Sequence, residues 1–201
     1  LPYELTNAQK KAIGEIQNDM QSPYAMQRLI QGDVGSGKTI VAFIALYMNY
    51  ITGYQGVMMA PTEILAKQHY ENMINLFKNF DLKIELLTSS TIKKTRSDII
   101  KRLASGDVDV LIGTHSVLND EIIFKNLGLV VTDEQHRFGV NQRNMLQKKG
   151  RLSDVLYLSA TPIPRTMTLT VYGDLDVSFI KELPPGRKPI RTFVRMPDRR
   201  N

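Results

Sequence analysis

The sequence predicts an α/β domain built on a parallel β-sheet with helices on both faces. Short apolar runs of strand length alternate with longer stretches whose apolar residues recur at helical spacing. Several of the short runs are almost entirely apolar, which is typical of parallel strands buried on both sides. We place this domain at residues 1–176 and a basic, Pro- and Arg-rich linker at residues 177–201.

The predicted elements follow one another along the chain. Thr6 or Asn7 is expected to cap a first helix that ends at Met20, because apolar residues recur on one face of that segment. Further helices are predicted at 38–50, 63–77 and 92–104, with helical stretches near Gln142 and Arg165. Strands are predicted at 27–31, 56–60, 83–87, 108–112, 127–132 and 155–158.

Composition narrows the classes of function. The chain has 201 residues and no cysteine, which excludes disulfides, thiolate metal sites and a cysteine nucleophile. Three histidines make a histidine-rich metal site an unfavoured hypothesis. Apolar stretches fall short of a membrane span, and the first residues lack the basic start of a signal peptide, so we expect a cytoplasmic protein. The chain does not begin with Met, which suggests a piece of a longer protein.

The positive charge is concentrated near the end of the chain. The net charge is +6, and residues 187–201 contribute five of those charges through six basic residues and one acidic residue. A polyanionic partner is the first interpretation of a basic chain. The preceding residues are nearly neutral, so we expect the folded domain alone to bind a polyanion weakly.

Residues 32–39 form the strongest motif, Gly-Asp-Val-Gly-Ser-Gly-Lys-Thr, which fits G-x-x-x-x-G-K-[ST]. It lies between a predicted strand and a predicted helix, and this context disfavours a chance glycine-rich turn. Backbone amides of Gly32, Gly35, Ser36 and Gly37 would face phosphate oxygens at a helix N-terminus. Lys38 would reach the β- and γ-phosphates of a bound nucleotide.

Thr39 completes this motif and begins the predicted metal site. Its hydroxyl would ligate Mg²⁺. A second set of ligands follows the apolar run 127–132, where Asp133 and Glu134 stand at the carboxyl end of a predicted strand. We expect Asp133 to hold Mg²⁺ and Glu134 to act as general base toward the attacking water.

Two alternative interpretations of these motifs are disfavoured. Asp-Glu after a strand is by itself a common turn, but the phosphate loop favours the catalytic interpretation. A GTPase is disfavoured, because the sequence has no Asn-Lys-x-Asp segment.

Asp133-Glu134-Gln135-His136 resembles the DExH motif of superfamily 2 helicases. Other segments resemble further motifs of that family in the expected order: Leu5-Thr6-x-x-Gln9, residues 60–66, 87–90 and 113–115, and Ser159-Ala160-Thr161-Pro162. The resemblance implies a RecA-like P-loop NTPase lobe that uses ATP and Mg²⁺ and acts on DNA.

The same resemblance implies roles for individual residues. Gln9 would read the adenine of ATP. His136, Ser159 and Thr161 would couple the nucleotide state to DNA. Thr62, Ser90 and Thr114 would contact DNA phosphates, and a helix-capping role is the equally weighted alternative.

Residues 32–39, 133–140, 160–166, 172–178 and 183–187 resemble the bacterial branch-migration helicases more closely. Transcription-repair coupling factors share some of these segments but usually have Glu-Glu-Gln-Arg where this chain has Asp-Glu-Gln-His. The resemblance implies remodelling of stalled forks and Holliday junctions in recombination and repair. It also implies a second motor lobe and an N-terminal wedge domain in the parent chain.

Four further features of the sequence bear on function. No Gln-x-x-Gly-Arg-x-Gly-Arg pattern is present, so the arginine finger would come from the second lobe. A nucleotide-switched DNA-binding module without net catalysis is the alternative from another functional class. His69 lies on an apolar helix face and is expected to be structural. The basic residues of the helix at 92–104 would form either a solvated face or a rim of the DNA path.

Overall fold

A sheet of parallel strands organises the computed structural model, which describes residues 4–133, 153–160 and 175–182. The strands are β1 (Gln27–Gly32), β2 (Gln55–Met59), β3 (Ile84–Leu87), β4 (Val110–Gly113), β5 (Leu127–Asp133), β6 (Asp154–Ser159) and β7 (Asp176–Ile180). The helices are α1 (Asn7–Met20), α2 (Lys38–Ile51), α3 (Glu63–Phe77) and α4 (Lys93–Ser105), with a 3₁₀ turn at His115–Leu118.

The strand order separates the strands that precede the two groups of predicted site residues. Within the described residues the order is β3-β4-β2-β5-β6-β1-β7, and every neighbouring pair is parallel. The strands that precede the predicted phosphate and metal residues, β1 and β5, flank β6. The strands that precede the predicted DNA contacts, β2, β3 and β4, are grouped at the other side.

Local sequence accounts for the helix boundaries. Thr6 caps α1 through a capping box, in which its side chain accepts from the Gln9 backbone and the Gln9 side chain accepts from the Thr6 backbone. Gly106 ends α4 in the left-handed conformation that glycine adopts without a steric penalty. The predicted bounds of α3 agree with the structure, and the other predicted elements within the described residues are shifted by one or two residues.

Two apolar clusters cover the two faces of the sheet. One contains Ile30 and Met58 and packs against α1, α2 and α3, whereas the other contains Leu29 and Val57 and includes residues of α4. Adjacent residues of one strand therefore point to opposite clusters, as the period of a strand requires. The prediction of a parallel sheet with helices on both faces is confirmed.

The strand β7 extends the folded part of the chain. Residues 177–180 lie in the expected linker range, but they pair with β1 from Leu29↔Val177 to Gly32↔Ile180. The folded domain therefore reaches at least Ile180. The predicted helical stretches near Gln142 and Arg165, and the basic segment 187–201, lie outside the described residues.

No helix among the described residues is long and apolar enough to cross a membrane.

Candidate functional site

The predicted nucleotide residues meet at the carboxyl ends of three neighbouring strands. Asp133 pairs with Leu158 in the register of β5 and β6, and Leu158 pairs with Ile30 in the register of β6 and β1. Adjacent strands lie about 4.8 Å apart, so Asp133 is roughly 10 Å from β1 across the sheet. The phosphate loop begins just beyond Ile30, at Gly32. The fold therefore places the predicted phosphate and metal residues together at the edge of the sheet where the strands have their carboxyl ends.

The phosphate loop has the backbone that an anion cradle needs. Gly35 and Gly37 have φ values of 76° and 87°, in the region that favours glycine. Gly37 is also the N-cap of α2, so no side chain at that position satisfies the first amides of the helix. The Ser36 hydroxyl oxygen is buried and has no hydrogen-bond partner within the part of the chain that the structure describes. Such a loop offers backbone and hydroxyl donors to a phosphate group.

Lys38 is held against this loop. Its Nζ donates to the carbonyl oxygens of Gly32 at 2.7 Å and of Asp33 at 2.9 Å. Burial lowers the pKa of Lys38, and the negative charges of Asp133 and Asp33 oppose that shift. Lys38 therefore lies close enough to Asp133 for the carboxylate charge to raise its pKa.

Gln9 braces the loop from α1. Its Nε2 donates to the Ser36 carbonyl at 2.9 Å, and its Oε1 accepts from the Thr6 amide at 3.0 Å. The side chain is nearly buried, with 3% of the residue exposed. The expected adenine contact stays a prediction. The geometry adds a second role, because the same amide links the start of α1 to the phosphate loop.

Asp133 has a partner that the sequence did not indicate. His69 Nε2 lies 2.7 Å from Asp133 Oδ2. His69 is buried on α3, and its ring meets the edge of Phe43 of α2 at 6.2 Å between centroids. The expectation of a purely structural histidine is therefore incomplete. Helical periodicity identifies the buried face but carries no signal for a carboxylate 64 residues away.

The other predicted nucleotide and coupling residues are placed as follows. Thr39 lies in the first turn of α2, and Ser159 is buried at the end of β6, beside Gln31 in the register of the sheet. Glu134, His136 and Thr161 lie outside the described residues.

The donor set at this edge fits the implied magnesium ion. Mg²⁺ prefers oxygen ligands, and the carboxylate of Asp133 and the hydroxyl of Thr39 are both of that class. The described contact of Asp133 with His69 uses one hydrogen-bond position of a carboxylate that offers about four. Asp133 thus retains the capacity to hold the ion directly or through water.

The residues predicted to contact DNA follow the carboxyl ends of β2, β3 and β4, at the same end of the sheet. Thr62 caps α3, and its Oγ1 accepts from the Leu65 amide at 3.3 Å. Thr114 precedes the 3₁₀ turn, where its Oγ1 lies 3.3 Å from the Ser116 hydroxyl. Ser90 caps no described helix. The capping alternative thus holds for Thr62, and its contact with DNA stays a prediction.

Ser90 is engaged by a carboxylate. Its amide and hydroxyl donate to Glu63 at 3.2 Å and 2.9 Å, and the Ser89 hydroxyl donates to the same side chain. These hydrogen bonds, that from Ser89 first, lower the pKa of Glu63. Glu63 therefore occupies the donors that the family resemblance would direct at a DNA phosphate.

The basic residues of α4 have mixed surroundings. Arg102 forms ion pairs with Glu85 at 2.5 Å and Asp98 at 3.8 Å, and Arg96 with Glu121 at 3.6 Å. Three others, Lys93, Lys94 and Lys101, are exposed. Both the solvated-face and the DNA-rim hypotheses remain compatible with this arrangement.

Comparison with known proteins places this geometry in a family. The DEAD/DEAH box helicase model matches residues 6–169. The chain is 56% identical over 193 residues to the ATP-dependent DNA helicase RecG of Bacillus subtilis, an alignment that covers 96% of this chain and 28% of that protein. It is 54% identical over 192 residues to RecG of Staphylococcus epidermidis, with the same two coverages. The chain thus spans little more than a quarter of the length of these curated relatives.

Solved structures give a consistent result. The structure of RecG bound to a three-way DNA junction aligns with a TM-score of 0.83 and 49% identity, covering 94% of this chain and 25% of that one. The Pyrococcus furiosus Hef helicase domain aligns with a TM-score of 0.63 at 22% identity, covering 85% of this chain and 37% of that one, which is a likeness of fold alone. The predicted RecA-like fold and the resemblance to branch-migration helicases are confirmed.

Proposed function

This chain belongs to the DEAD/DEAH box helicase family, and from that premise we propose that it is the ATP-binding lobe of an ATP-dependent DNA helicase that remodels branched DNA. Stalled forks and Holliday junctions in recombination and repair are the proposed substrates of the parent protein, which acts in the bacterial cytoplasm. The observation that carries this proposal is the meeting of the phosphate loop and Asp133 at the carboxyl ends of neighbouring strands.

The residues at the carboxyl ends of these strands have separate roles in ATP binding. Amides of Gly32, Gly35, Ser36 and Gly37 receive the phosphates at the positive end of α2, and Lys38 contacts the β- and γ-phosphates. Thr39 and Asp133 would hold Mg²⁺, which would supply positive charge against the negative charge of the phosphates. Gln9 holds the loop in place from α1 and contacts adenine.

Hydrolysis and coupling are assigned to residues next to this set. Glu134 accepts a proton from the attacking water as general base. His136, Ser159 and Thr161 link the nucleotide state to the DNA side of the sheet. Thr62, Ser90 and Thr114 contact DNA phosphates, which fix the register of a protein on DNA without reading its sequence.

The remaining parts of the motor are partners of this lobe. A second RecA-like lobe supplies the arginine finger, and an N-terminal wedge domain meets the branch point. Similar fingers contribute about 10³–10⁵ to the rate of phosphoryl transfer. We therefore expect residues 1–201 alone to hydrolyse ATP very slowly, with or without branched DNA.

Two substitutions in the longer parent protein test the proposal. Lys38→Ala is expected to abolish nucleotide binding, and Glu134→Gln to preserve binding while abolishing hydrolysis. Loss of fork unwinding in both variants supports the motor. If Glu134→Gln unwinds forks at the wild-type rate, the nucleotide-switched binding module replaces it. ATPase turnover by residues 1–201 that branched DNA strongly stimulates would contradict the assignment of the arginine finger.

A further inference from the structure

The imidazole of His69 lies where it can control the orientation of Asp133. The contact between His69 Nε2 and Asp133 Oδ2 is 2.7 Å long and partly buried. An ionised carboxylate only accepts hydrogen bonds, so the imidazole must donate from Nε2. This donation leaves the aspartate fewer rotations than a solvent-exposed carboxylate would have. It also fixes which oxygen turns away from α3.

Burial and packing also hold the imidazole of His69 in position. His69 is 6% exposed, and its ring packs against the edge of Phe43. Phe43 lies on α2, the helix that begins at the phosphate loop, and His69 lies on α3. The contact therefore joins three elements, because Asp133 ends β5. An unsupported surface histidine would have no comparable reason to hold one rotamer.

The helix that carries His69 also reaches the DNA side of the edge. α3 begins at Glu63 after its cap Thr62, and His69 follows Thr62 by seven residues, about 10 Å along the helix axis. A shift of α3 would thus move the hydrogen-bond donor of His69 and change the orientation of the Asp133 carboxylate.

We propose that His69 is a positioning residue that orients Asp133 for Mg²⁺-dependent nucleotide binding, an inference that rests on the function proposed above. Residues that hydrogen-bond a metal-binding group orient it, and their loss costs about 10–100-fold in metal affinity. The proposed role depends on the hydrogen bond that His69 donates to Asp133. The packing of the imidazole ring against Phe43 holds the donor in position.

Two substitutions separate the hydrogen bond from the packing. His69→Phe keeps an aromatic ring beside Phe43 but removes the donor to Asp133. His69→Gln reduces the surface that packs against Phe43 but retains an Nε2–H donor at a similar distance from the backbone. Met73→Leu is the matched control, because Met73 is fully buried one turn further along α3 and its change conserves volume.

The measurement is binding of a fluorescent ADP analogue to the 201-residue chain, once in a Mg²⁺ titration and once in EDTA. In His69→Phe we expect the apparent Mg²⁺ affinity to fall by about tenfold or more, while binding in EDTA stays at the wild-type level. We expect His69→Gln to restore most of the Mg²⁺ affinity and Met73→Leu to leave it unchanged. Melting temperatures of all variants report whether each one folds.

The results that contradict the inference are distinct from those that contradict the function. Wild-type Mg²⁺ affinity in His69→Phe, equal loss in His69→Phe and His69→Gln, or loss in EDTA as well would overturn the positioning role. If the wild-type chain binds the nucleotide equally with and without Mg²⁺, the proposed metal site is itself wrong, and the inference falls with it.

Discussion

The amide of Gln9 serves two elements at once. Its oxygen completes the capping box of α1, and its Nε2 holds the Ser36 carbonyl of the phosphate loop. The residue type follows from this double demand, because a carboxylate would cap the helix but could not donate to a carbonyl. A family motif placed Gln9 near the nucleotide, whereas its brace on the loop appears only in the folded chain.

Two replacements of Gln9 test these tasks. Gln9→Glu is expected to keep the cap, since glutamate is a regular partner in capping boxes, but to lose the bond to Ser36. One hydrogen bond of roughly 1 kcal/mol corresponds to about fivefold in affinity. We therefore expect nucleotide binding to weaken by at least that amount. The melting temperature should also fall, because the nearly buried carboxylate would face the Ser36 carbonyl oxygen. Gln9→Ala should lower both quantities. Wild-type nucleotide affinity in Gln9→Glu would show that the brace has no role in binding.

Glu63 gives a second prediction for a single side chain. Its ionised carboxylate accepts from Ser89 and Ser90 and lies beside the proposed path of DNA phosphates. Glu63→Gln removes a negative charge there and weakens the competition for the Ser90 donors. We expect tighter binding of DNA to the 201-residue chain at low salt, measured by fluorescence anisotropy.

The control for Glu63 is a second glutamate on the same helix. Glu71 is exposed on α3, so Glu71→Gln removes the same charge away from Ser90. Equal gains in both variants would assign the effect to net charge alone. Weaker DNA binding in Glu63→Gln would show instead that the carboxylate orders the loop for DNA.

At the scale of elements, caps and apolar runs account for most boundaries. The Thr6 and Gly106 termini and the apolar strands could be predicted because each depends on a few contiguous residues. The strand β7 could not, since its polar Ser178 is buried and its apolar Phe179 is exposed, which reverses the usual pattern at the edge of the sheet. An edge strand contacts neighbours on one side only, so its sequence is less constrained than that of a central strand.

The start of α3 carries the prediction at this scale. Thr62→Ala is expected to lower the free energy of unfolding by about 1 kcal/mol, because it removes the cap of the Leu65 amide. Thr62→Asp retains an acceptor of the same capping strength and adds a negative charge at the DNA side. We expect Thr62→Asp to unfold in urea as the wild type does and to bind DNA more weakly. Unchanged DNA binding in Thr62→Asp would leave Thr62 with capping alone.

At the scale of the whole molecule, a buried arginine fastens β7 to the body of the sheet. Arg28 of β1 contacts Asp19 at 2.5 Å and Glu15 at 3.5 Å on α1, and it donates to the Ser178 hydroxyl at 2.9 Å. The Ser178 hydroxyl donates to Glu15 in turn. This network joins the first helix to the last described strand and explains why β7 belongs to the folded domain.

Removal of Arg28 tests that connection. Breaking a fully buried ion pair costs about 3–5 kcal/mol, but Asp19 and Glu15 keep some contact with solvent, so we expect Arg28→Met to cost about 2 kcal/mol. Urea unfolding measures the change. Lys11→Met, which disrupts an exposed ion pair with Glu15, is the control and should cost little. A loss in Arg28→Met no larger than that of the control would contradict the fastening role.

The sequence by itself determined the features that contiguous residues encode. The phosphate loop at 32–39, the cap of α1 and the doubly covered sheet follow from spacing and composition, because backbone geometry and the local period of side chains fix them. The tertiary structure alone decided which distant residues meet. The contacts of His69 with Asp133, Glu63 with Ser90 and Gln9 with Ser36 depend on the strand order and on the direction of single side chains. A single long-range contact imposes no period on the sequence. The sequence pattern therefore does not show which of these residues pair.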